Sequence, residues 1–144
     1  MAARSHAQKI AGARSALQMR LSGDPRELAT LRAEVGELAA AHGLSERSAD
    51  VTLALEELVA NAQQHGAPPV DVTIWADRRL VIEVSDGGSG LGRLAVPDRP
   101  PRSDQDHGRG LWLVSQLADR VDVQCSAEGT TVRIELTSEP VIGA

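Results

Sequence analysis

Apolar residues along this chain switch between two periods, and the switches mark out its elements. Leu17, Met19 and Leu21 alternate with Gln18 and Arg20, the period-two pattern of a short strand. From Leu28 the spacing changes. Leu28, Leu31, Val35 and Leu38 recur three or four residues apart, which is the stripe of a helix. Asp24 suits its N-cap, Pro25 its first position and Glu27 the reciprocal half of a capping box, while Gly43 ends it. A second helix is expected to open at Ser45, with Val51, Leu55, Leu58 and Ala62 as its apolar stripe. Gly66 stops it, and Pro68-Pro69 prevent continuation.

Period two then returns. Val70, Val72 and Ile74 are followed by Leu80, Ile82 and Val84, with a short turn at Asp77-Arg78 between them, so the pair predicts a β-hairpin. Residues 91–107 carry Pro97, Pro100 and Pro101 among aspartates and arginines, which rules out a packed helix or central strand and predicts a loop with the length of a functional lid. Leu111, Val114, Leu117 and Ala118 mark a third helix. Val121, Val123 and Cys125, then Val132, Ile134 and Leu136, form a closing hairpin turned over 126–129. Strand, two helices, hairpin, loop, helix, hairpin predicts an α+β, two-layer sandwich. Its sheet is expected to be mixed, mostly antiparallel, and covered on one face by three helices. One domain over 14–138 is expected, between a flexible tail at 1–13 and a short tail at 139–144.

Composition narrows the function. The 144 residues are 42% hydrophobic and 24% charged, the balance of a globular domain. Phe and Tyr are absent, so aliphatic residues and Trp75 and Trp112 must fill the core. The net charge of −5 and the scarcity of stacking rings argue against nucleic-acid binding. A single cysteine, Cys125, excludes an internal disulfide and fits a reducing compartment. Apolar runs are too short to span a membrane, and residues 1–13 lack the apolar stretch of a secretory signal, so a cytoplasmic location is expected. Lys9 is the only lysine, which removes both the P-loop and the eukaryotic-kinase solutions to phosphate binding.

Four sets of residues could carry chemistry. Glu57 and Asn61 are one helical turn apart, and Gln64 continues their face. That face is either ordinary solvated surface, or a carboxylate beside an amide oxygen that can serve Mg2+ or accept a proton. Asp86, followed by Gly87, Gly88, Ser89 and Gly90, ends a predicted strand. It is either a plain turn or an acceptor for an exocyclic amine with room for backbone to approach a ligand. Gly108, Arg109, Gly110 and Leu111 precede an apolar helix, either as a glycine-rich loop end or as a phosphate-binding helix start. Gly129, Thr130 and Thr131 open the last strand with hydroxyls that could reach a phosphate or a water.

In this order and spacing, the four sets resemble the ATPase superfamily shared by gyrase, MutL, the heat-shock chaperone and histidine kinases. The likeness covers residues 14–138 and implies its Bergerat-type ATP-binding fold. The phrases LALEELVANAQQHG and GRGLWLVSQLADRV resemble, more closely, the stand-alone anti-sigma regulatory serine/threonine kinases of bacteria. The resemblance implies ATP and Mg2+ as cofactors. It implies Glu57 as the general base acting on a Ser or Thr hydroxyl, and Asn61 as the residue holding Mg2+ on the phosphates. Asp86 would take the adenine amine, with Gly88 and Gly90 giving room. Gly108, Arg109, Gly110 and Leu111 would close on the phosphates, and Thr130 or Thr131 would assist near the base. His65 falls in the family's Asn-Ala-x-x-His pattern as a helix-end residue. Arg32 stands either as a solvated helix residue or where the family places a partner contact. A STAS-type antagonist, a sigma factor and a homodimer through the sheet are the implied partners. An ATP-dependent module that sequesters a sigma factor without turnover is the alternative function.

Overall fold

The computed structural model describes residues 15–88 and 109–138; the segments read above as tails at 1–13 and 139–144 and as a lid at 91–107 lie outside them. The elements run β1 (Ser15–Leu21), α1 (Pro25–Ala41), α2 (Ser48–His65), β2 (Val70–Ala76), β3 (Arg79–Asp86), α3 (Arg109–Leu117), β4 (Arg120–Ser126) and β5 (Gly129–Thr137). The five strands form one sheet in the order β1-β2-β3-β5-β4. All four neighbouring pairs are antiparallel, so the described sheet is not mixed. Connectivity explains this. Two helices, not one, join β1 to β2, and β2 returns antiparallel to β1, whereas a crossover through a single helix joins parallel strands. β3 and β4 do run in the same direction, but β5 inserts between them.

Register sorts the strands into two faces. Met19, Val72, Val84, Val132 and Val123 lie in one row, and Leu17, Ile74, Ile82, Ile134 and Val121 in the next. This face joins Leu31 and Val35 of α1, Leu55 and Leu58 of α2, and Leu111 and Val114 of α3 in one buried cluster. The three helices therefore cover one face, as the periodicity predicts. The opposite face is polar and cross-linked. Arg20 and Asp71 pair across β1 and β2 through two hydrogen bonds of 2.8 and 3.0 Å. Arg79 meets Glu135 at 3.0 Å, and the Arg133 guanidinium lies 5.0 Å from the Trp75 ring centroid. At the β2–β3 turn, the Arg79 backbone N–H donates to Asp77 and holds its carboxyl below the usual range.

Local signals account for most element ends. Asp24 caps α1 by accepting from the Arg26 N–H at 2.9 Å, and Arg26 holds the Asp24 carboxyl below its usual range by side-chain and backbone hydrogen bonds. Glu27 returns to the Asp24 N–H at 3.1 Å and also accepts from the Ser22 N–H and hydroxyl, completing the capping box. Beyond α1, Gly43 has φ of +77°. The Leu44 N–H then reaches back to the Ala39 carbonyl at 2.8 Å, the closing bond of a Schellman motif. The second helix departs from expectation, because Ser45–Arg47 form a single 3-10 turn and α2 begins only at Ser48. Leu44 is fully buried ahead of that turn, and the tighter turn lets the chain leave its pocket and re-enter as α2.

Arg47, the last residue of that turn, ties three elements together. Its guanidinium donates to the Leu117 carbonyl at the end of α3 (2.6 Å), to the Thr137 carbonyl at the end of β5 (3.1 Å) and to Asp119 (2.7 Å). Asp119 in turn accepts from the Thr137 N–H at 2.7 Å. Removing a charged donor that serves several partly buried acceptors costs about 1.5–3 kcal/mol, so Arg47→Ala should lower the urea midpoint by that equivalent. Gly36, mid-way along α1, has open space where a Cβ would sit. Gly36→Ala is expected to raise stability by about 0.5–1 kcal/mol in the same denaturation experiment, because alanine loses less backbone entropy in a helix.

Candidate functional site

The sequence-derived candidates gather where the C-terminal half of α2, the end of β3, the start of α3 and the start of β5 converge. The orientation of α2 sets this up. Val51, Ala54, Leu55, Leu58, Val59 and Ala62 are all buried, which leaves Glu57 and Asn61 half-buried on the flank of the stripe. α3 packs along that flank. A Cβ at Gly110 would stand 3.0 Å from Glu57 Oε2, so the Glu57 carboxylate lies against the first turn of α3. Leu111 is buried in the core and Val114 follows it one turn later, which fixes the helix start beside Glu57. Arg109 opens α3, but its side chain, like Gly90 and Gly108, lies outside the described residues.

Asp86 occupies the other end of the site. It is buried at the last position of β3, on the face that carries the helices. Its Oδ1 accepts from the Gly88 N–H at 2.8 Å and from the Ala67 N–H at 3.4 Å. The Gly87 N–H donates to the Ala67 carbonyl at 2.6 Å, so the loop after β3 is stitched to the segment after α2. Thr130 stands opposite Asp86 on β5, fully buried, and its hydroxyl donates to the Gly88 carbonyl at 2.8 Å. Four hydrogen bonds thus hold Asp86 and the glycine loop in one geometry. Crowding reinforces it: a Cβ at Gly87 would lie 2.6 Å from the Pro68 carbonyl, and one at Gly129 2.6 Å from the Asp86 carbonyl.

Not every candidate joins this group. Thr131 pairs in register with Ser85, and the two hydroxyls meet at 2.9 Å on the opposite face of the sheet from Asp86 and Thr130. The strand alternation separates the two threonines, so Thr130 is the one beside Asp86. His65 and Gln64 are exposed at the end of α2. Arg32 of α1 forms an ion pair with Glu56 of α2 at 2.5 Å, on the side of α2 away from the site. Sequence reasoning read Gly66 only as a helix stop and passed over Ala67. Their backbone proves to line Asp86.

The arrangement suits a nucleotide at both ends. A buried carboxylate that already accepts from two backbone amides can take a base amine. Glycines keep the surrounding backbone bare of side chains. A nine-residue helix offers free N–H groups at its start, where anions bind. Among the described residues no group of three His, Cys, Asp or Glu side chains gathers as a metal cluster. A single amide oxygen such as that of Asn61 is compatible with Mg2+, which keeps its waters and takes few protein ligands. No helix among the described residues is long and apolar enough to cross a membrane.

Comparison with known proteins agrees with this fold. The model of the histidine kinase-like ATPase domain matches residues 21–136. Among solved structures, the RsbU and RsbW domains of Rv1364c from Mycobacterium tuberculosis superpose with a TM-score of 0.57 at 22% identity, over 85% of this chain and 31% of that one. This chain therefore spans about a third of that protein's length. The histidine kinase domain of the Erythrobacter litoralis EL346 blue-light activated histidine kinase aligns at 17% identity over 78% of this chain and 59% of that one, with a TM-score of 0.47. No curated protein sequence matches the chain at a significant level. The match to the family model runs from the end of β1 to the end of β5 and takes in every described element of the site, and the chain accordingly belongs to the histidine kinase-like ATPase domain family.

Proposed function

We propose that this chain is an ATP-binding serine/threonine protein kinase of the anti-sigma-factor type, acting on a STAS-type antagonist and thereby regulating a sigma factor. The observation that carries the reading is the placement of the Glu57 carboxylate. It stands against the bare first turn of α3, one helical turn from Asn61, at the opposite end of the site from the buried Asp86.

Each residue then has a defined task. Bound ATP supplies a γ-phosphoryl group. Asp86, fixed by the Gly88 and Ala67 amides, accepts a hydrogen bond from the adenine amine. Thr130 keeps the loop at Gly88 in place through its hydrogen bond to the Gly88 carbonyl. The first N–H groups of α3, at Arg109 to Leu111, face the phosphates, and Gly110 lets them approach. Gly90 and Gly108 are proposed as further nucleotide-binding residues. The Asn61 amide oxygen is the protein ligand for Mg2+. Glu57 would accept the proton of a substrate Ser or Thr hydroxyl as that oxygen bonds to the γ-phosphorus, the bond from that phosphorus to the bridging oxygen breaking so that ADP leaves. Positioning and electrostatics account for most of the rate in reactions of this kind, and a general base contributes about 10²–10⁴-fold.

The Glu57 assignment separates binding from transfer. Mg-ATP at about a hundred times its dissociation constant stabilises a protein by roughly 2.7 kcal/mol, so wild type and Glu57→Ala should show the same rise in thermal midpoint. Label from γ-labelled ATP should reach a STAS-domain protein with wild type and fall at least about 10²-fold with Glu57→Ala. Transfer by Glu57→Ala at the wild-type rate overturns the general-base role. Wild type that binds a sigma factor only with Mg-ATP, yet transfers no label, establishes sequestration without turnover instead. Asn61→Ala should lose the Mg2+-dependent part of the ATP-induced stabilisation, and a midpoint rise that stays equally Mg2+-dependent would remove Asn61 as the ligand.

A further inference from the structure

Gly66 ends α2, and its backbone gives no reason for a glycine. Its φ of −93° and ψ of −162° are extended values open to any L-residue. It differs here from Gly43, whose φ of +77° at the end of α1 favours glycine on conformational grounds. Two neighbours crowd a side chain at 66: the Ala62 carbonyl one turn back, and a carboxylate distant in sequence. A Cβ built there would lie 2.6 Å from Asp86 Oδ1 and would also collide with Asp86 Cγ. Gly88 crowds the same carboxylate oxygen, since a Cβ there would be 3.0 Å from Asp86 Oδ1 and 3.4 Å from the Gly66 Cα. The next residue, Ala67, donates its N–H to that same Oδ1. The Asp86 carboxylate is thus held by two backbone amides in a clasp that leaves no room for a side chain at Gly66 and little at Gly88.

We infer that Gly66 is a positioning residue for base recognition, setting the depth and direction of the Asp86 carboxylate from the end of α2. This rests on the reading of Asp86 as the acceptor of the base amine and deepens it. A methyl group at 66 pushes the carboxylate out of its clasp, lengthens its bonds to the Gly88 and Ala67 amides, and turns its oxygens away from the direction that meets an amine. Because the displaced group is the one that tells an amine from a carbonyl on a purine, the change acts on discrimination between bases as well as on affinity. A site built to hydrogen-bond one group rejects the analogue lacking it strongly, and that rejection depends on the acceptor being held in place.

Two measurements test the inference. Binding of Mg-ATP and Mg-GTP to the full chain should show Gly66→Ala weakening ATP by about tenfold or more, with the ATP-to-GTP preference falling by a comparable factor. A general weakening of the fold would lower both nucleotides alike, and that result overturns the positioning role. So does ATP affinity within about twofold of wild type. The second measurement needs no nucleotide. A Cβ at 66 also comes within 2.5 Å of the Ala62 carbonyl, so Gly66→Ala carries a backbone cost of its own. The part due to Asp86 is isolated by comparing the melting of Gly66→Ala, Asp86→Ala and the double variant. Coupling is expected, with the methyl group costing clearly less once the carboxylate is gone. Strict additivity refutes the contact. Wild type that binds neither nucleotide defeats the ATP reading and the recognition role with it, whereas the melting cycle still decides whether Gly66 makes room for Asp86.

Discussion

The packing of α2 across the sheet is the constraint on which the rest of the molecule depends. Leu55 and Leu58 meet the central strands, Val51 and Val59 extend the stripe, and Ala54 and Ala62 allow close approach. With no Phe or Tyr in the chain, this layer is filled by aliphatic side chains, each of which contributes about 1.5–3 kcal/mol when fully buried. Rotating α2 about its axis would expose several of them together, at a cost no single polar contact could offset. The directions of Glu57 and Asn61 are therefore set by the core rather than by any interaction of their own. The same helix ends where Asp86 begins, so both ends of the candidate site are measured from one rigid element.

The fold was largely legible because each element announces itself locally. Asp24, Pro25 and Glu27 mark the start of α1 and behave as the spacing predicts, and the alternation of β2 and β3 places Val72, Ile74, Ile82 and Val84 on the buried face. The start of α2 was misplaced because Ser45 resembles a cap, while the deciding fact is the burial of Leu44, which periodicity alone does not reveal. The insertion of β5 between β3 and β4 was equally hidden, since it pairs residues far apart in the chain. In the site, Asp86 and Glu57 stood out by type and position. The choice between Thr130 and Thr131 could not be made without register, because adjacent strand residues face opposite ways. Gly66 was rightly read as the stop of α2, but its contact with Asp86 was hidden because that residue lies two strands downstream.

The two faces of the sheet divide the work between stability and solubility. The helix-covered face holds nearly all the buried aliphatic residues. The other is laced with arginine–carboxylate pairs, such as Arg20 with Asp71 and Arg79 with Glu135, and with Arg133 stacked on Trp75. An exposed pair such as Arg20 with Asp71 contributes little by itself, about 0–1 kcal/mol, and keeps the face wet more than it holds the fold together, whereas Glu135 is itself buried. Among the described residues Ala16 and Val81 are buried on this face too, and Val81 the more completely. Flanked in register by Trp75 on β2 and Glu135 on β5, it is fully buried on this face, under the larger side chains around it. Arg47 performs a different task, joining the beginning of α2 to the ends of α3 and β5, and so closing the helical layer at the end remote from Asp86.

The crowding around the Asp86 loop has a consequence for how this sequence can change over time. Connections are ordinarily the parts of a protein that drift most freely, while cores change slowly. Here the order is partly inverted. A buried leucine can exchange with isoleucine or methionine for a modest cost of repacking. Gly87 and Gly129, both in or beside connections, have no methyl-sized space to give, because backbone carbonyl oxygens already stand within 2.6 Å of where it would go. Across divergent descendants of this chain, the fixed points should therefore be a few small residues at the mouths of loops, with the aliphatic layer free to wander around them.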